Sequence, residues 1–168
     1  TGASGALVEQ LARLGVKRWR LFDPDTVERK NLVAQNFTWE DLAEPKPQAL
    51  LRRLRECEFE RDNPLVPALD VKCLGDVTEQ GEEGLAELVA AERRAGAQPL
   101  LLLASDSHPA QALGRRAALA SGAPAFFAGM YREGKAGEIM FVAPGTGLAC
   151  YRCMAASRYE FWAGTRTT

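Results

Sequence analysis

The chain has 168 residues, 46% of them hydrophobic and 26% charged, with 21 basic against 22 acidic side chains and a formal charge of -1. That length suits one sizeable α/β core, and the balance of charge leaves no polyanion footprint, which argues against a nucleic-acid binder. No apolar run approaches the roughly 20 residues of a membrane span and no charged leader precedes a short apolar stretch, so the expected location is the cytoplasm, with the four cysteines reduced.

In chain order, Leu7, Val8, Leu11 and Leu14 have helical spacing, predicting a helix over about residues 6–14 closed by Gly15. Arg18 to Phe22 alternates as a strand that delivers Asp23-Pro24-Asp25 at its C-terminal end. Residues 27–42 carry no clean period, after which Pro45-Lys46-Pro47 opens a helix with Leu50, Leu51, Leu54 and Cys57 as its buried stripe. A strand is expected over Val66 to Val71, a helix over Gly84 to Ala95, and a fully buried strand over Pro99 to Ala104. Ser105-Asp106-Ser107 follows that strand, then a helix from His108 to Ala120, a strand from Ala125 to Ala128, and an antiparallel return from Gly137 to Val142. The tail from Arg158 to Thr168 joins none of these patterns.

Strands alternating with helices predict an α/β fold: a Rossmann-like three-layer αβα arrangement, its mostly parallel sheet extended by an antiparallel strand. Residues 1–168 are expected to form a single domain, and because Thr1 falls inside what reads as a glycine loop, one that lacks its N-terminal and C-terminal segments. Ligands of such sheets bind beyond the C-terminal strand ends, where Gly2, Asp23, Asp25 and Asp106 fall.

Thr1-Gly2-Ala3-Ser4-Gly5 before a helix has the form of a phosphate loop, with Gly2 admitting a phosphate to the backbone and Gly5 letting the helix pack closely. Asp23, about twenty residues on, stands where a nucleotide fold places a ribose-binding carboxylate. Taken alone, Lys46 reads as a solvated lysine in a Pro-Lys-Pro turn, Asp106 equally as a helix N-cap, and Asn31 with Gln35 as a pair that ties down a loop. Cys150 and Cys153 have the spacing of half a four-cysteine zinc site. His108, the single histidine, reads as a first-turn helix residue without a catalytic role.

Asp23-Pro24-Asp25-Thr26-Val27-Glu28-Arg29-Lys30-Asn31-Leu32-Val33-Ala34-Gln35 resembles the D-x-D-x-V-E-x-x-N-L-x-R-Q segment of the ThiF/MoeB/HesA family. Glu44 to Ala49 is similar to the family's G-x-x-K-A, Ser105-Asp106 to its strand-end T-D, and Pro144 to Cys153 to its P-G-x-x-x-C-y-x-C. The resemblance implies an adenylyltransferase that uses ATP and magnesium to activate the C-terminal carboxylate of a ubiquitin-like or sulfur-carrier protein, commonly as a homodimer. In what it implies, Gly2 and Gly5 approach the phosphates, Asp23 and Asp25 lie at the ribose end, Asn31 and Gln35 line the nucleotide pocket, Lys46 contacts the phosphates, Asp106 holds magnesium, and Cys150 and Cys153 hold zinc with a second pair.

The pattern is departed from at Ala34 and Gln111, where the family carries arginines, with Arg13, Arg29, Lys30 or a second subunit as candidates to compensate. Many members of the family carry a further, capturing cysteine, and none follows Cys153 here: either it lies beyond Thr168, or the protein stops at adenylation, or it is a nucleotide-binding relative with no transfer step. Two other readings stay open: a partner-binding relative with impaired catalysis, and an NAD-dependent oxidoreductase, which the glycine loop and Asp23 suit equally.

Overall fold

The computed structural model describes residues 5–58, 67–130 and 136–165, the last four by backbone alone. The chain forms two compact units, Thr1–Glu79 and Gln80–Thr168.

In the first unit, helix α1 spans Gly5–Arg13. Its end is closed as the sequence predicts: Gly15 takes φ 95°, and the N–H groups of Gly15 and Val16 bond Ala12 O at 2.9 Å and Leu11 O at 3.1 Å. Strand β1, Arg18–Phe22, buries Trp19 and Leu21 and pairs in parallel with β2, Asp70–Leu74. β2 begins later than the expected Val66. Val66 lies outside the described residues, Pro67 has no N–H to donate, and pairing is pinned by Asp70 N–H on Lys17 O at 2.9 Å and by the Arg20 guanidinium forked onto the Asp70 carboxylate at 2.8 and 3.2 Å. The aperiodic stretch after β1 holds one short helix, α2 (Asn31–Ala34), and a 3-10 turn at Trp39–Asp41. Helix α3, Lys46–Glu56, carries Pro47 in its first turn, where a missing N–H costs nothing. Its buried face presents Ala49, Leu50 and Leu54, and Ala49 packs with Val27 and Phe37.

Helix α4, Val77–Arg94, starts ahead of the expected Gly84 and breaks at Gly81, whose φ 65° and ψ 179° suit only glycine. In the second unit, β3 (Leu101–Leu103), α5 (His108–Ser121) and β4 (Ala125–Met130) make a β-α-β unit with parallel strands, and β5 (Gly137–Val142) adds antiparallel to β4. This is the Rossmann-like α/β alternation, mostly parallel with an antiparallel extension, that the sequence predicts. β3 is half-buried rather than fully buried, because among the described residues it pairs on one side only. The core joins Ala118, Ala125, Phe127, Val142, Tyr151 and Ala155, with the Phe127 and Tyr151 rings stacked at 4.4 Å.

The tail is not detached. After α6 (Tyr151–Met154), residues Ala156–Thr165 form helix α7, and Arg158 Nη1 is ion-paired with Glu138 Oε1 of β5 at 2.6 Å. The physical reason lies in a pair twenty residues apart in sequence, which no local period reports.

α5 approaches β3 closely enough that a Cβ at Gly114 would lie 2.6 Å from Leu103 Cδ1. Gly114→Ala is therefore expected to destabilise the protein by about 1–3 kcal/mol through overpacking, measured as a lowered urea midpoint with an unchanged m-value; an unchanged midpoint contradicts this packing.

Candidate functional site

The site of the first unit starts at the end of β1. Asp23 Oδ1 accepts the Asp25 N–H at 3.0 Å, turning the chain. The following segment runs back against residues 43–46: Thr26 bridges Pro45, Val27 N–H bonds Glu44 O at 2.8 Å, and Lys46 N–H bonds Asp25 O at 2.9 Å. This pairing delivers Lys46 at the first position of α3, where its ammonium bonds Asp25 Oδ2 at 2.7 Å and lies 4.0 Å from Asp23 Oδ1. Lys46 is only 6% exposed. The solvated lysine expected from the Pro-Lys-Pro turn is thus corrected: two carboxylates twenty-one and more residues upstream pull the ammonium inward.

Asp41, fully buried, stiffens the same loop. It accepts the Thr38 N–H at 2.6 Å and hydroxyl at 3.0 Å, and the Arg53 guanidinium at 3.1 Å. Arg52 also bonds it and reaches Glu44 at 2.7 Å. Burial pushes the Asp41 carboxyl up, but the Thr38 backbone N–H, the two guanidinium groups and the Thr38 hydroxyl outweigh it and hold it at about 2.

Asn31 and Gln35 mark the two ends of α2 and behave differently. Asn31 is buried and its Oδ1 accepts the Glu28 N–H at 2.8 Å, which is the loop-tying role. The Gln35 side-chain oxygen is shielded from solvent and has no hydrogen-bond donor among the described residues. Such an acceptor is costly by about 1–3 kcal/mol when left alone and fits a donor such as a base amine or ribose hydroxyl. Ala34 is exposed. Gly5 opens α1 and is buried, and among the described residues a Cβ there would meet Asn36 Cβ at 4.0 Å. Gly2 lies outside the described residues.

In the second unit a cleft of about 350 Å³ opens beyond β3 and β4, lined by Ser105, Asp106, His108, Gln111, Ser157 and Arg158 among others. Ser107, not Asp106, caps α5, its hydroxyl accepting the Ala110 N–H at 3.4 Å. The N-cap reading of Asp106 is thereby set aside, and its exposed carboxylate suits magnesium, which usually takes one or two carboxylates and completes its shell with water and phosphate oxygens. Gln111 is buried: its Nε2 donates to Ser105 O at 2.7 Å and its Oε1 accepts the Tyr151 hydroxyl. Tyr151 in turn accepts from Arg158 Nη1 at 3.0 Å. Burial holds His108 below the ordinary imidazole range, and the Arg158 charge adds to that.

Cys150 and Cys153 stand with sulfurs 3.7 Å apart. Two thiolates sharing a tetrahedral zinc at about 2.3 Å lie about 3.8 Å apart, so the pair fits half of such a site. Among the described residues no third ligand joins them. Burial pushes the Cys150 thiol up, but the Cys153 N–H and thiol, the Arg152 N–H and the Arg115 guanidinium outweigh it and hold it at about 7. Cys57 is buried at the end of α3, and Cys73 bonds Pro47 O at 3.4 Å.

The sequence reading missed Tyr151 and Arg158. The only signal for Tyr151 was an aromatic between two cysteines, and Arg158 left none.

Parallel strands with carboxylates at their C-terminal ends and a β-α-β unit define a Rossmann-like α/β protein. The ThiF family profile runs over residues 2–166, and the chain belongs to the ThiF family. The fold is that of E. coli MccB with succinimide (18% identity, TM-score 0.67, covering 99% of this chain and 45% of that one). It is likewise similar to E. coli MccB with ATP (18%, 0.66, 99% and 46%) and to selenomethionine PaaA (19%, 0.65, 99% and 49%). The chain thus spans less than half the length of these relatives. By sequence alone no curated protein matched. Among the described residues no helix is long and apolar enough to cross a membrane.

The Asp41 cluster has a pH signature. A carboxyl at 3.8 when unfolded and about 2 when folded contributes about 2 kcal/mol that is complete above roughly pH 5 and lost as pH falls through 2. Urea unfolding between pH 6 and pH 2.5 should show this loss, and Asp41→Asn should be less stable at pH 6 and show a flatter acid limb; an equally steep limb in that variant rules the cluster out as its source.

Proposed function

We propose that this chain is the nucleotide-binding part of an enzyme that adenylates the C-terminal carboxylate of a small protein or peptide and releases pyrophosphate. The observation that carries the reading is Lys46, buried yet placed beside Asp23 and Asp25 at the end of β1, within a chain of the ThiF family. The relatives support it: MccB has been solved with ATP and with MccA. A ubiquitin-like or sulfur-carrier protein is the finer form of the partner, and a cytoplasmic homodimer the finer form of the assembly.

In the reaction a carboxylate oxygen attacks the α-phosphorus of ATP, the bond to the bridging oxygen breaks, and pyrophosphate leaves with its electron pair. No proton needs to move. Both reactants are anions, so the residues must offset charge and hold the in-line geometry. Lys46 supplies an ammonium to the phosphates, Asp23 accepts from the ribose hydroxyls, Asp25 orients the lysine, and the Gln35 oxygen accepts from the nucleotide. The glycine loop expected from the sequence around Gly2 and Gly5 would offer backbone N–H groups to the phosphates. Asp106 would hold magnesium, whose charge when bound offsets that of the polyphosphate. Cys150 and Cys153 would hold zinc in a structural role, with ligands outside the described residues.

A partner-binding relative with impaired catalysis is the second reading, favoured by Gln111: its amide is committed to Ser105 and Tyr151, where the family's arginine would bring charge. The Lys46 and Asp25 pair serves no step of a hydride transfer, and the oxidoreductase reading has no further support.

Calorimetric titration of the full-length protein with ATP and magnesium tests the proposal. Tight, magnesium-dependent binding is expected, and its absence transfers the bet to the partner-binding reading. Lys46→Ala is expected to lower ATP–pyrophosphate exchange roughly 10- to 100-fold, the worth of one charge-assisted bond. Asp106→Asn should abolish magnesium-dependent exchange and leave partner binding intact; exchange at the wild-type level in either variant removes that residue from the site.

A further inference from the structure

Arg158 lies in the tail that the sequence pattern left unattached, yet among the described residues it is the one arginine or lysine lining the cleft beyond β3. Its guanidinium is fixed by a chain of bonds. Nη1 is ion-paired with Glu138 Oε1 at 2.6 Å and donates to the Tyr151 hydroxyl at 3.0 Å; Tyr151 donates to Gln111, and Gln111 donates to Ser105 O at 2.7 Å. Tyr151 is 0% and Gln111 3% exposed, so the links between them run through the interior and end on the residue that precedes Asp106. The arginine is therefore tied to the segment after β3 that carries Asp106 into the same cleft. At Gly129 a Cβ would stand 3.1 Å from Glu138 Oε1, so the glycine gives the buttressing carboxylate its room.

The charge of the cleft points the same way. His108 is held below its ordinary range by burial first and by Arg158 second, so among the described residues of the cleft the positive charge at neutral pH is the arginine's. Gln111 is neutral and contributes position rather than charge. A planar guanidinium matches phosphate oxygens in a way that a glutamine amide does not, and a nearby carboxylate suited to magnesium completes the pairing that polyphosphate sites use.

We propose that Arg158 binds the phosphoanhydride anion of the nucleotide, and the pyrophosphate that departs from it, in the cleft shared with Asp106, with Gln111 and Tyr151 as positioning residues. The inference rests on the adenylation reading. As the bond between the α-phosphorus and the bridging oxygen breaks, the leaving pyrophosphate gains charge, and Arg158 stabilises that gain.

The test uses the full-length protein, with inorganic pyrophosphate and magnesium as the probe in calorimetry. Arg158→Gln is expected to weaken pyrophosphate binding about tenfold or more, and Arg158→Lys, which keeps charge but loses the fork, by less, with melting midpoints checked for both. A second measurement needs no variant: phenylglyoxal labelling of Arg158 in the wild-type protein, followed by peptide mass spectrometry, should be suppressed by magnesium pyrophosphate. Wild-type pyrophosphate affinity in a folded Arg158→Gln protein, or labelling undiminished at saturating pyrophosphate, overturns the inference while leaving adenylation standing. A wild-type protein that binds no magnesium ATP overturns both.

Discussion

An ammonium taken out of water needs opposite charge close by, or its burial costs several kcal/mol. Lys46 is 6% exposed, and everything around it in the first unit answers that requirement. The turn after β1 supplies Asp23 and Asp25, and the backbone pairing of residues 25–27 with 43–46 sets the distance to 2.7 Å. The pair is lopsided: the Lys46 side chain is 8% exposed and that of Asp25 62%. The lysine is thus enclosed while its principal partner faces water, an arrangement in which an arriving phosphate competes with a solvated carboxylate rather than with a buried one.

Such a loop stays in place only if something stiffer stands behind it. Asp41 does this, since a carboxylate buried among two arginines and the Thr38 N–H loses those bonds if the chain between residues 38 and 46 shifts. Arg52 also joins Asp41 to Glu44, two residues before Lys46, so rigidity is passed along the segment that carries the lysine. Electrostatic preorganisation of this kind lets a site meet charge without rearranging as the reaction proceeds.

The parts legible in the sequence are those set by local rules. β1 and β5 fall at their expected bounds because side-chain alternation marks them directly, and α1 ends as expected because Gly15 alone in that stretch accepts φ 95°. α3 begins at Lys46 because proline is tolerated only in a first turn. What escaped is non-local. Nothing in Pro-Lys-Pro reports that Asp25 waits twenty-one residues upstream, so the lysine read as solvated; nothing in the last eleven residues reports Glu138, so α7 read as loose. The start of β2 depended on where Lys17 O stood, and the half-burial of β3 on how many neighbours it pairs with. Asp23 and Asp25 stand out by their place at a strand's end and Lys46 by a resemblance alone, and it is their mutual distances that give the resemblance physical content.

Gln111 shows how a substitution read as a loss takes on a different meaning in three dimensions. From sequence, a neutral residue at a position where relatives carry arginine suggests a phosphate site short of one cation. In the fold that position is 3% exposed, and an unpaired guanidinium so placed would carry a heavy desolvation penalty. The amide instead satisfies a carbonyl on one side and a hydroxyl on the other, the two-sided donor and acceptor chemistry that arginine lacks. Because Tyr151 spends its proton on Gln111, its oxygen is left to accept from Arg158. The neutral residue in the interior thereby orients a cation nearer the solvent, where a guanidinium is cheaper to keep charged and reachable by an anion.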